Sequence, residues 1–192
     1  MAERAVALEG SRQRVTPLRF GTILFLASEL MFFAGLFAAY FSLRAISDPW
    51  PPEAVELDLL LPSVATALLV LSSSTFVGAM HALERGDHGR MRRWIAATAV
   101  LGTVFLASQI YDWTRLDFAV DTDAYGTIFY SMTGFHALHV FAGLLLMGVL
   151  LGRAAQGAYA TGDHSSAHAI GYYWHFVDVV WVGLFAVIYL IR

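Results

Sequence analysis

The chain has 192 residues, of which 58% are hydrophobic and only 14% charged, against about 45–50% apolar and 25% charged in soluble domains. This composition marks an integral membrane protein and leaves no room for a separate soluble domain. With no cysteine and a net charge of −3, disulfides, iron–sulfur clusters and thiolate metal sites are excluded, and a nucleic-acid partner is disfavoured.

Residues 1–18 read as a polar cytoplasmic tail carrying Arg4, Arg12 and Arg14. Residues 19–192 form one domain of five apolar runs, each near the ~20 residues needed to cross a bilayer. The first helix is expected at about 20–43 and holds Glu29 within Ser28-Glu29-Leu30-Met31-Phe32-Phe33. Its length and the lack of a small-residue cleavage site argue for a retained span rather than a signal peptide. An acidic loop with Pro49, Trp50, Pro51 and Pro52 follows; prolines stop the helix and Trp50 suits a membrane interface or a lipid contact.

The second helix is expected at about 59–83, with hydroxyls at Ser72-Ser73-Ser74-Thr75 suited chiefly to close packing. It ends at His81 and Glu84, in Glu84-Arg85-Gly86-Asp87, before Arg90, Arg92 and Arg93. The third, about 94–113, carries Gln109 and Asp112 on one face. A loop with Asp117, Asp121 and Asp123 leads to the fourth helix, about 125–151, which contains His136 and His139. The last, about 167–191, contains Tyr172-Tyr173-Trp174-His175-Phe176-Val177-Asp178-Val179-Val180-Trp181. The chain has no lysine, and its arginines concentrate in the tail and the second and fourth loops. The positive-inside rule therefore predicts an all-α five-helix bundle with the N-terminus cytoplasmic and the C-terminus outside.

Ionisable side chains inside hydrocarbon are costly and usually functional. At ~1.5 Å of rise per residue, Glu29 lies about nine residues from the cytoplasmic end of its helix, His175 about eight, Asp178 about eleven and His139 about twelve. This shared layer suggests one polar cluster joining the first, fourth and fifth helices, with Glu29 and Asp178 each held by a histidine and His136 one turn further out. A zinc or non-haem iron site built from the same residues is the competing reading, and a hydrogen-bonded core is favoured over it. A complete transmembrane proton path is not evident. Trp174 and Trp181, seven apart, are further interface or lipid candidates. Gly102, Gly143 and Gly148 would permit close helix contacts within the chain or with a partner.

Four motifs in order carry a resemblance. They are Ser28-Glu29 with Phe32-Phe33, then Glu84-Arg85-Gly86-Asp87, then Tyr125-Gly126 leading to Thr133-Gly134-Phe135-His136-Ala137-Leu138-His139-Val140, and finally Tyr173 to Trp181. From about Arg19 to its end the chain resembles subunit III of the haem–copper oxidases in the five-helix bacterial form. The resemblance implies a non-catalytic subunit of a proton-pumping terminal oxidase of the bacterial plasma membrane. Such a subunit carries no haem, copper or other redox centre of its own; haem and copper belong to partner subunits. It packs on the oxygen-reducing subunit I, alongside subunit II, protects it during turnover and assists proton uptake, partly through bound phospholipid. The complex can also belong to a larger respiratory supercomplex.

By the same match, Glu29 is the family's membrane-embedded carboxylate, and His136, His139, His175 and Asp178 fall on its internal polar network. Gln109 and Asp112 stand where relatives often show Gln-x-x-Glu. Two further front helices of longer relatives have no counterpart here and are expected to be absent or fused elsewhere. Quinol oxidases and a branch associated with nitric-oxide reductases share the bundle; Ser28-Glu29 and Trp50-Pro51-Pro52 favour cytochrome c as electron donor. An independent membrane metalloenzyme or proton transporter is the alternative of another class.

Overall fold

A computed structural model describes residues 17–53, 55, 57–159 and 164–191. The expected tail lies outside the described residues apart from Pro17 and Leu18, as do Glu56 of the first loop and Gly162 and Asp163 of the fourth. The described residues form five long α-helices: α1 (Pro17–Ile46), α2 (Leu60–Glu84), α3 (His88–Trp113), α4 (Ala124–Ala155) and α5 (Ser165–Phe185). A π-helical turn, Ala186–Leu190, continues α5. All five are long and apolar enough to cross a membrane, and no strand occurs among the described residues.

The helix ends follow from local chemistry. Gly86 has a φ of 73°, and the N–H groups of Gly86 and Asp87 bond back to Leu83 O and Ala82 O, both at 2.9 Å. This is a glycine-terminated helix end in which only a residue without Cβ is at ease. Asp87 then caps α3 through the Arg90 N–H at 2.8 Å. Glu84-Arg85-Gly86-Asp87 is thus a stop and a start in four residues, so α3 begins at His88 rather than near Trp94. At the other end of the bundle Asp123 caps α4 through the Gly126 N–H at 2.7 Å.

Helices α2, α3, α4 and α5 close a ring in that order, and α1 lies against α4 and α5 from outside. The most apolar stretch of α1 is only 6% buried, whereas that of α5 is 56% buried. The last span is therefore the hub and the first is peripheral. Trp174, fully buried, fills the ring between α3 and α4. A Cβ at Gly102 would stand 2.6 Å from its Cη2, and one at Gly143 would stand 2.8 Å from its Cε3 and Cζ3. These two glycines serve contacts within the chain. Gly148 faces open space.

Candidate functional site

The polar side chains form two separate centres rather than one cluster. On the α1/α4 side, Glu29 Oε2 and His139 Nε2 are 2.9 Å apart. His139 Nδ1 donates to the Phe135 carbonyl one turn back at 2.7 Å, which fixes the ring orientation and leaves Nε2 to share a proton with Glu29. Phe33 meets the imidazole edge-on at a centroid distance of 5.0 Å, and Phe32 stacks beside it at 6.4 Å. The Tyr173 hydroxyl donates to the His139 carbonyl at 3.0 Å and ties the pair to α5. The pair is partly exposed, with 17% and 22% of the two side chains accessible. Its open edge faces the outside of the bundle.

On the α2/α5 side, Ser73 donates its proton to Asp178 Oδ2 and lies 2.8 Å from His175 Nδ1. A hydroxyl has one proton, so the lone pairs of Ser73 accept the Nδ1–H of His175. Asp178 and His175, three apart on one helix, therefore interact through a serine on another. Serine lies between carboxylate and imidazole here, whereas nucleophilic catalysis needs the imidazole in the middle. The trio is built for bridging two helices. Among the described residues no hydrogen bond joins it to Glu29 and His139.

Three expectations are corrected by this geometry. Asp178 is held by Ser73 of α2, not directly by a histidine, so Ser72 and Ser73 do more than pack. His136 does not join a polar network: it is fully buried, both ring nitrogens are without a partner, and its ring lies 5.8 Å from Phe105 and 4.9 Å from Trp181. It faces α3 and α5 while His139 faces α1. Trp174 and Trp181 are neither interface nor lipid residues, because both are buried in the ring with their N–H groups on α2 hydroxyls: Trp174 Nε1 on Ser72 Oγ and Trp181 Nε1 on Thr66 Oγ1, each at 2.9 Å. Satisfying an indole N–H internally is what lets so large a side chain leave the interface.

Trp50 is half-buried between Tyr40 and Tyr125, with ring centroids 5.4 and 5.0 Å away. Gln109 and Asp112 are buried near the end of α3, and Asp112 Oδ2 accepts the Tyr189 hydroxyl at 3.2 Å. His81 and Glu84 are exposed on the last turn of α2. Ser73 and Tyr189 are the partners that sequence reasoning missed. The signal for Ser73 was present, since a carboxylate and an imidazole on one helix face need a donor at equal depth, and the α2 hydroxyl patch supplies one. Among the described residues, no three of His, Asp and Glu come together in a way that could hold a metal ion.

A family model described as "Cytochrome c oxidase subunit III" matches residues 4–191. The chain belongs to the cytochrome c oxidase subunit III family. A "Probable cytochrome c oxidase subunit 3" of Nocardia farcinica is 45% identical over 186 residues, 95% of this chain and 92% of the relative. A protein of the same description from Mycobacterium tuberculosis is 43% identical over the same shares. The "Cytochrome c oxidase subunit 3" of Thermostichus vulcanus is 38% identical over 188 residues, covering 97% and 94%. The chain is thus a multi-pass membrane subunit of an oxidase complex, and the alignment spans every element that builds the two polar centres.

Proposed function

We propose that this subunit III is a non-catalytic component that packs on the oxygen-reducing subunit I beside subunit II in a bacterial plasma membrane, and that it stabilises that subunit during turnover and supports proton uptake. Haem and copper reside in the partners, electrons come from cytochrome c, and phospholipid fills the apolar grooves. The N-terminus and the arginine-rich loops face the cytoplasm. The observation that supports this reading is the internal pairing of Glu29 with His139 and of Asp178 with Ser73. Ionisable groups engaged in bonds between helices fix the bundle's registry. The intramembrane Glu29–His139 pair opens at the bundle's flank, where it can exchange a proton with a neighbouring subunit or with water between the subunits.

The test is to tag the C-terminus, extract in mild detergent and record the visible spectrum and subunit content of the purified material. A haem-bearing partner in stoichiometric amount, with haem absorption lost when this chain is isolated, is the expected result. A colourless single species that retains a stoichiometric metal would refute it.

A further inference from the structure

At the α2–α3 turn, two adjoining depressions of about 550 and 240 Å³ share Asp87, Arg90 and Trp94 as walls. Arg93 completes the larger and Arg85 the smaller, while exposed His81 sits at the rim. Three guanidinium groups thus face one carboxylate, and that carboxylate already caps α3 through the Arg90 N–H. None of the three arginines has a carboxylate partner among the described residues. The half-buried Trp94 ring lies flat on Gly78, where a Cβ would stand 3.3 Å from Cδ2 and Cε2. Glycine there lets the indole form the floor of the groove, and its N–H is accessible and unpartnered.

Below the basic mouth the surface turns apolar. Arg93, Ala97, Val100 and Val104 follow one another at helical spacing on α3, and Val100 and Val104 are 62% and 45% exposed. A charged mouth, an indole at the boundary and an apolar strip leading toward the bilayer centre match the three parts of a lipid. A soluble phosphate compound would use the mouth alone.

We propose that this groove binds an anionic phospholipid, its phosphate held by Arg85, Arg90 and Arg93 and its glycerol region by the Trp94 N–H, with an acyl chain along Val100 and Val104. The site is separate from the apolar groove between α1, α4 and α5, which Pro17, Phe25, Leu145 and Tyr173 help to line. Forked guanidinium donors suit the planar pairs of oxygens on a phosphodiester.

The test uses the intact oxidase complex in phosphatidylcholine nanodiscs doped with a photoactivatable phosphatidylglycerol, with labelled peptides mapped by mass spectrometry. Labelling should fall on residues 78–104 and drop on the order of a hundredfold in Arg85→Gln/Arg90→Gln/Arg93→Gln, from three lost surface charges. Arg115→Gln, at the other end of α3, should label as the wild type does. If the triple variant fails to assemble, Arg90→Gln and Trp94→Phe should each lower labelling in the assembled complex. Equal labelling by a photoactivatable phosphatidylcholine would overturn the proposal. So would abolition of labelling by millimolar inorganic phosphate, which would point to a soluble anion. Absence of labelling together with crosslinks from residues 78–104 to another subunit would assign the groove to a protein partner and refute the lipid.

Discussion

Ser73→Ala removes one oxygen atom and strands two other groups. The hydroxyl donates to Asp178 and accepts from His175, so its loss leaves Oδ2 of a buried carboxylate and an imidazole N–H without partners. In soluble proteins a hydrogen bond to a charged group contributes about 1.5–3 kcal/mol and a neutral one about 0.5–1.5. Measured values between membrane helices are smaller, averaging about 0.6 and reaching about 1.7 kcal/mol, because the separated helices find other partners. Two bonds at the membrane scale come to about 1–3 kcal/mol, or roughly 5- to 150-fold in the equilibrium holding α2 against α5. Ser74, exposed and without a hydrogen bond in the structure, is the control: Ser74→Ala should stay within about 0.5 kcal/mol of the wild type. The assay is unfolding of the purified complex in mixed micelles of rising dodecyl sulfate, followed by loss of this subunit. The double variant Ser73→Ala/Asp178→Ala should cost less than the sum of its singles, since both remove the same bond. Strict additivity, or a Ser73→Ala variant indistinguishable from Ser74→Ala, would refute the bridging role.

Gly102→Ala and Gly143→Ala should each destabilise the bundle by about 1–3 kcal/mol by forcing Trp174 from its slot, while Gly148→Ala, facing open space, should be neutral or stabilising by up to about 1 kcal/mol; thermal dissociation of the subunit measures all three. Tyr189→Phe should lose the bond to Asp112 and lower stability by about 1 kcal/mol in the same assay. Glu29→Ala should leave His139 unpaired and lower retention of the subunit on the complex, with haem and copper spectra unchanged at equal assembly; Glu29→Gln, which keeps a hydrogen-bonding side chain, should retain more.

The five spans were legible because hydropathy needs only length and composition, and the meeting of Glu29 with His139 at 2.9 Å because rise per residue is constant. Direction around the helix was not legible. In a membrane bundle the side facing lipid is as apolar as the core, so nothing in the sequence said that His139 turns to α1 while His136, three residues earlier, turns to α3 and α5. The single cluster expected from depth alone accordingly divides into two. Trp174 and Trp181 misled for a related reason: indole favours interfaces unless its N–H is met inside, and the meeting hydroxyls, Ser72 and Thr66, lie more than 100 residues away in sequence. The start of α3 was misplaced because a run of arginines reads as loop, whereas the Asp87 cap carries the helix through it.

The most direct measurement of the accessory role is to strip this subunit from the purified oxidase and follow oxygen consumption from the first turnovers to inactivation. The account predicts unchanged haem and copper content and near-normal initial oxygen reduction, followed by a markedly shortened active lifetime that readdition of the subunit restores. Loss of a redox signal in step with the subunit, or an undiminished lifetime without it, would contradict the account.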